Sequence, residues 1–299
     1  MDKYIVSDLI MESADVLSLK KAAAERGEAY SEERLGSVTV CRLNIKSEEQ
    51  AKKYKCKTGY HVTAYTPEIL LMTDGESERL SRILAREIKE AIFMVLGTKT
   101  LENKRFLVAG IGNGRITPDA IGAMTADKIN VTRHVEKISP ENFKKMRVAS
   151  VCSVRCGVLG ETGIEALEAL RGLVGSCSPD CVIAVDALAA RDTGRLASTV
   201  QISDSGISPG AGIGNGQSVI DKASLGVPVV AVGVPTVISA ATLITAAFKE
   251  IGFNKMDEKT ESIIGEKRNF FVTPKECDLI CDAASDVLAR AIDLALGVI

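Results

Sequence analysis

Three aspartates stand where an open α/β protein keeps its chemistry, just past the carboxyl ends of its strands. Asp119 follows the glycine-rich stretch Gly110-Ile111-Gly112-Asn113-Gly114 and the turn-forming pair Thr117-Pro118. Asp186 closes the apolar run Cys181–Val185. Asp204 follows Gln201-Ile202-Ser203 and leads into a second glycine-rich run ending at Gly216. Two carboxylates at neighbouring strand ends suit hydrolysis. One activates a water, the other protonates the leaving group, and close approach drives their pKa values apart so that they titrate as a pair. Spacing alone leaves a structural role open for each. Asp119 in the first turn of a helix is already favoured by the helix dipole. Asp186 at the end of a buried strand needs backbone amides or Arg191 as partners. Asp204 is open to the same reading. Asn113 and Arg191 are the candidate neighbours of the pair.

Other chemistries find less support. No Ser stands beside a His–Asp pair, and the two histidines, His61 and His134, lie apart. For His134 a structural role is the commoner one. Asp119, Asp186 and Asp204 are oxygen donors for a metal-dependent alternative, but imidazole is what nickel and zinc favour, and it is scarce here. The string Gly-Ile-Gly-Asn-Gly occurs at 110–114 and again at 212–216. It is not the dinucleotide fingerprint, because position 115 is Arg, and it reads as shared turn chemistry. A phosphate- or nucleotide-binding module using these turns is the other alternative. Six of the eight cysteines form C-x3-C pairs (Cys152/Cys156, Cys177/Cys181, Cys277/Cys281), which is not zinc spacing. They read as small buried residues of a reducing compartment, with Cys277 and Cys281 on one helix face.

Elements that could position these acids are visible as short apolar runs: Arg105–Gly110, Val148–Cys152, Cys181–Val185, Pro228–Gly233 and the shorter Thr199–Ile202. Such runs are typical of parallel strands covered on both faces. Helix signals alternate with them. Thr117-Pro118-Asp119 predicts a helix start with Thr as N-cap. Thr162-Gly163-Ile164-Glu165 predicts a capping box opening a helix through Leu173. Thr273-Pro274-Lys275-Glu276 predicts the start of a C-terminal helix running to Leu296 and ended by Gly297. Leu80, Ile83, Leu84, Ile88, Ala91, Ile92 and Val95 keep helical spacing, closed by Gly97. The expected fold is therefore α/β, with a mostly parallel central sheet flanked by helices. Residues 1–104 hold 34 charged side chains, whereas 105–248 hold 25 in 144 residues. That shift suggests a charged N-terminal α+β part over 9–104, with strands at Ser37–Leu43 and Tyr60–Tyr65. A core over 105–299 would follow, the whole forming one compact domain. Residues 253–268 read as a polar surface loop.

The 299 residues carry 37 Lys and Arg against 39 Asp and Glu, a net charge of −2. This is a poor footprint for nucleic acid. Aromatics are 4% and Trp is absent, so base-stacking platforms are not expected. No secretory signal is visible, and the longest apolar run, Pro228–Ala241, is broken by Gly233 and Pro235. A cytoplasmic chain is the expectation.

Six motifs in order carry a resemblance. They are Thr117–Gly122 (TPDAIG), Val131–His134 (VTRH), Gly160–Glu165 (GETGIE), Ala184–Arg191 (AVDALAAR), Gln201–Ile207 (QISDSGI) and Val272–Glu276 (VTPKE). Together they closely resemble the germination proteases of spore-forming bacteria, over most of residues 105–247 and the C-terminal helix. Lys57–Thr63 is a looser anchor. The resemblance implies an endopeptidase that degrades small acid-soluble spore proteins during germination. It implies an atypical aspartic protease without a cofactor, located in the forespore or spore core and assembled as a homotetramer. It also implies a fold similar to hydrogenase-maturation proteases, which bind nickel, and to phosphorylase-like folds. The family's proposed catalytic aspartates fall on Asp119 and Asp186. The family is made as a self-processing zymogen whose cleavage sites place an acid before a bulky apolar residue, with a Glu a few residues on. Ser7-Asp8-Leu9-Ile10-Met11-Glu12 fits, so residues 1–8 are the expected propeptide and Asp8–Leu9 the processed bond. Three departures stand out: a short propeptide, a short stretch between Phe248 and Phe270, and Ser239 where the family often has Asp.

Overall fold

The apolar runs of the middle third become the parallel half of a single sheet. A computed structural model describes residues 30–54, 57–210, 218–252, 257–267 and 270–299. Among them nine strands share that sheet. They are β1 (Tyr30–Leu35), β2 (Val38–Ile45), β3 (Gly59–Tyr65), β4 (Arg105–Ile111), β5 (Ser150–Gly157), β6 (Cys181–Ala190), β7 (Thr199–Ser203), β8 (Val229–Ser239) and β9 (Phe271–Val272). The order is β1-β2-β3-β7-β8-β6-β4-β5, with β9 added to the end of β8. Neighbours from β5 to β8 run parallel. From β8 through β7 and β3 to β1 they run antiparallel. The sheet is therefore mixed, and the early strands are not separate from it: β3 joins through β7.

Alternation along the strands sends side chains to two cores. Phe106 and Val108 of β4 and Ile183 and Val185 of β6 meet the helices Asp74–Leu96 and Cys277–Leu296. Leu107, Ala109, Val182 and Ala184 point the other way, against Leu167 and Leu170 of the helix Ala166–Cys177. With both faces covered, these strands read as unbroken apolar runs. The Asp74–Leu96 helix buries the predicted stripe. Thr73 and Glu76 close a capping box at its start, and Gly97 ends it in a left-handed conformation. Among the described residues of the N-terminal part, one charged cluster is buried. Buried Glu87 takes two bonds from the Arg42 guanidinium, both 2.7 Å, and one from the Tyr60 hydroxyl at 3.1 Å. Burial, the largest single influence, would raise its carboxyl, but Arg42 and Arg86 together leave it below the usual range.

Several predicted starts move. Thr117–Asp119 is a single 3-10 turn, and the helix proper spans Ile121–Lys128 with Ala120 at its N-cap, so Thr117 caps nothing. The cause is close packing. A Cβ on Gly122 would lie 2.2 Å from the Ile111 carbonyl oxygen and 2.3 Å from that of Val185, which fixes where this helix meets the sheet. Thr162 ends the short helix Leu159–Thr162, the chain reverses at Gly163 with φ +74°, and the next helix begins at Ala166. The C-terminal helix starts at Cys277, three residues after the predicted Pro, and stops at Gly297 as expected. The predicted 253–268 loop holds a helix instead, Glu258–Glu266, N-capped by Asp257.

His61 is buried on β3, its ring between the Ser203 hydroxyl and the Lys57 carbonyl at 2.9 Å each. Burial holds its pKa below the ordinary value, the Lys57 carbonyl opposing and the Lys57 charge adding. The folded state therefore binds fewer protons than the unfolded one, whose His titrates near ~6.5. Stability from this group is present above that pH and is lost as pH falls through it. Thermal melts at pH 7.5 and 5.5 should show a larger loss on acidification for the wild type than for His61→Gln; equal losses would contradict this.

Candidate active site

The sheet is uneven at one end, and that unevenness makes the site. Pairing of β4 with β6 ends at Gly110–Val185, while β6 and β8 run on beside each other to Ala190 and Ile238. Asp186 is the first β6 residue past the reach of β4. The sequence suggests that it closes its strand; instead β6 continues four residues beyond it. The carboxylate is 4% exposed, and its Oδ1 accepts the backbone N–H of Ala187 at 2.9 Å.

Beside it lies the Gly112–Asp119 turn. Asp119 is half-buried, and its Oδ2 accepts the backbone N–H of Asn113 at 2.6 Å. Burial pushes its carboxyl above the ordinary range; the Asn113 N–H opposes this and the charge of Glu161 adds to it. Glu161 is in turn 3.5 Å from Arg115. Asn113 also closes its own turn, its Oδ1 accepting the N–H of Arg115 at 2.9 Å. Gly112, at φ +100°, is the hinge of this arrangement.

Asp119 and Asp186 line one cleft of about 790 Å³, together with Asn113. The walls are mainly apolar, including Ile116, Leu159, Leu188, Val237 and Phe271, and Glu165 supplies a third acid. An apolar cleft with one buried and one half-buried carboxylate, the latter held above its ordinary pKa, is suited to moving protons to and from a bound water.

Two other expected neighbours are elsewhere. Arg191 is exposed and lines a second cleft of about 440 Å³ with Asp192, Arg195 and Lys249. Asp204 accepts the N–H of Tyr60 at 2.7 Å and packs on Gly59, tying β3 to the end of β7. Burial pushes its carboxyl up, with the Tyr60 and own-backbone N–H groups opposing. Its place removes it from the oxygen-ligand trio that a metal site would need. Among the described residues no three His, Cys, Asp or Glu side chains converge on a point. The phosphate alternative meets a cleft whose charged lining, among the described residues, is acidic. His134 is exposed on the helix Arg133–Ile138, which follows a contact between Thr132 and Val151 at the start of β5, the opposite end of the parallel strands from the aspartates. Asp8, Leu9 and the second Gly-Ile-Gly-Asn-Gly string lie outside the described residues.

Sequence reasoning missed Glu165 and Thr236. Glu165 stood in view as the last residue of the GETGIE motif, read there as a capping residue. Thr236, inside an apolar run on β8, carries no local signal; only its tertiary contact reveals it, the hydroxyl donating at 2.6 Å to the carbonyl of Pro118, next to Asp119. The cysteines behave as expected in part: Cys41, Cys156, Cys181, Cys277 and Cys281 are buried, Cys152 and Cys177 half-buried, and all seven are free thiols. Among the described residues no helix is long and apolar enough to cross a membrane.

Comparison with known proteins places the chain in a family. The family model described as germination protease matches residues 6–263. The germination protease of Clostridium acetobutylicum is 35% identical over 97% of this chain and 94% of its own. That of Caldanaerobacter subterraneus is 35% identical over 98% and 94%, and that of Bacillus licheniformis 32% over 99% and 94%. Among solved structures, the [NiFe] hydrogenase maturation protease HycI of Thermococcus kodakarensis aligns with 62% of this chain and 92% of its own, at 19% identity and a TM-score of 0.27. Matched from near its start to within forty residues of its end, and by full-length relatives, this chain belongs to the germination protease family and is a peptidase.

Proposed function

We propose that the chain is an endopeptidase that begins the breakdown of small acid-soluble spore proteins during germination, with Asp119 and Asp186 as its catalytic pair. The observation that carries this reading is their convergence on one cleft. In the proposed step the ionised carboxylate takes a proton from water as its oxygen attacks the scissile carbonyl. The protonated partner then gives its proton to the departing amide nitrogen, so the pair starts and ends holding one proton. Asp119, raised by burial, is a suitable seat for that proton. Ile116, Leu159, Val237 and Phe271 suit the bulky apolar residue that family cleavage sites place after the broken bond.

The same reading makes the chain a zymogen cut between Asp8 and Leu9, working as a homotetramer in the spore core. N-terminal sequencing of mildly acidified protein checks the cut, and a mature N-terminus elsewhere rejects it. The central test is cleavage of a small acid-soluble spore protein by the form beginning at Leu9, with Asp119→Asn and Asp186→Asn beside it and with and without a chelator. Activity that both substitutions abolish and the chelator spares supports the aspartate pair. Activity that survives the substitutions overturns it, and chelator-sensitive activity transfers the chemistry to a metal held by the same acids.

A pH prediction follows from Glu161. Its negative charge helps to hold the Asp119 carboxyl up. Catalysis that needs a proton on Asp119 is lost as pH rises through that raised value. Glu161→Gln should therefore move the alkaline limb of the kcat/KM profile to lower pH. The displacement is partial, because burial is the larger cause. Superimposable profiles would contradict it.

A further inference from the structure

Asp119 sits on a short turn that is braced from other elements. The 3-10 turn is closed by Asp119 N–H to Ile116 O at 2.8 Å and Ala120 N–H to Thr117 O at 3.2 Å, and Asn113 holds it from within, its carbonyl accepting the Ile116 N–H at 3.0 Å and its N–H reaching Asp119 Oδ2 at 2.6 Å. So short a turn is marginal alone. Further grips come from outside. Thr236 on β8 is 1% exposed, and its hydroxyl donates to the Pro118 carbonyl at 2.6 Å. The Thr236 carbonyl in turn accepts the Thr273 hydroxyl at 2.9 Å. Thr273 thus lies before the C-terminal helix, which begins at Cys277, and its hydroxyl serves the sheet end instead. From that helix, Cys281 Sγ lies 3.3 Å from the Thr117 carbonyl oxygen. The two carbonyls immediately before Asp119 are thus each gripped by a side chain from a different element.

We propose that Thr236 is a positioning residue for catalysis: it sets where the Asp119 carboxylate lies in the cleft, with Cys281 as the second grip and Thr273 as the brace behind it. The inference rests on the aspartate-pair reading above for its catalytic consequence, but not for its geometric one. The geometry also distinguishes it from ordinary core satisfaction. The hydroxyl bonds no atom of its own strand's neighbours but reaches the residue adjoining Asp119. The next residue on β8, Val237, lines the cleft itself. Misplacement of a catalytic group by about 1 Å costs on the order of 100-fold in rate. A group that only fills the core would lower stability and leave kcat alone.

The test compares Thr236→Val, which keeps shape and loses the donor, with Thr236→Ser, which keeps the donor. In the full chain, the Asp119 carboxyl is titrated by 13C NMR, its signal assigned by its absence in Asp119→Asn. In Thr236→Val it is expected to move back toward the ordinary carboxylate value as the turn loosens and water enters, while Thr236→Ser follows wild type. After maturation, Thr236→Val is expected to lose about 10- to 100-fold in kcat with KM changed less than about twofold, and Thr236→Ser to recover most of it. An unmoved titration in Thr236→Val overturns the proposal whatever the activity shows. So does a folded Thr236→Ser that is as impaired as the Val variant. If Asp119→Asn proves active, the catalytic reading fails while the titration still decides the positioning. Should the Val variant not fold, Thr236→Ala carries the same two readings.

Discussion

Replacing Asp186 by Asn is expected to lower kcat by about 10²- to 10⁴-fold, the range for removing a general acid or base, with little change in thermal stability. Asn keeps the shape of the side chain and an Oδ1 that can accept the Ala187 N–H, so the local bond survives. What disappears is the capacity to gain and lose a proton. Asp119→Asn should lose a similar amount, because its amide can turn its oxygen to the Asn113 N–H and preserve the 2.6 Å contact. The proposed pair shares one proton and so works as a unit, and on that proposal the double variant should be little worse than either single one. Rates that multiply in the double variant would show two independent groups. The measurement is single-turnover cleavage of a small acid-soluble spore protein by the three variants, with melting curves as the control for folding.

Periodicity and turn chemistry reach a long way into this fold. The runs at Arg105, Cys181 and Pro228 announced the parallel strands because both faces of β4, β6 and β8 are covered. The Leu80–Val95 stripe announced a helix because one side of it meets the sheet. Local signals failed where a tertiary contact competes with them. Thr273 looks like an N-cap, but the helix begins only at Cys277, and the Thr273 hydroxyl donates to the Thr236 carbonyl at the sheet end. Thr117 looks like one too, but Gly122 must press against β4 and β6, which delays the helix. β1 was invisible because a charged edge strand has little apolar pattern: its residues alternate only between half-buried and exposed. For the site, strand-end logic selected Asp119 and Asp186, and the structure brings them to one cleft. The same logic could not tell that β6 outruns β4, nor that Asp204 and Arg191 face other hollows. Sheet order and strand stagger are properties of the pairing, which no single run of residues contains.

Gly112→Ala carries the largest expected structural effect in the site. At φ +100° an L side chain is strained by about 1–3 kcal/mol. A Cβ there would also lie 2.1 Å from the Asp119 carbonyl oxygen and 3.0 Å from its Oδ1. The neighbour in the way is backbone, which can move only by shifting the turn, and such overpacking costs about 1–3 kcal/mol more. Together these predict a loss of roughly 2–6 kcal/mol, a fall in Tm of order 10 °C, and a displaced Asp119 carboxylate. Gly114 gives the control two residues away. It is exposed, its φ lies outside the left-handed region, and a Cβ there would meet only Ala123 at 3.4 Å. Gly114→Ala should stay within about 0.5 kcal/mol of wild type. If the cleft depends on the close approach of Gly112 to Asp119, kcat measured well below both melting points should fall by about 100-fold in Gly112→Ala and stay unchanged in Gly114→Ala. Equal activity in the two would mean that the turn tolerates a shifted backbone. The position of the Asp119 carboxyl would then be set by its other supports, the Asn113 N–H and the grip on Pro118.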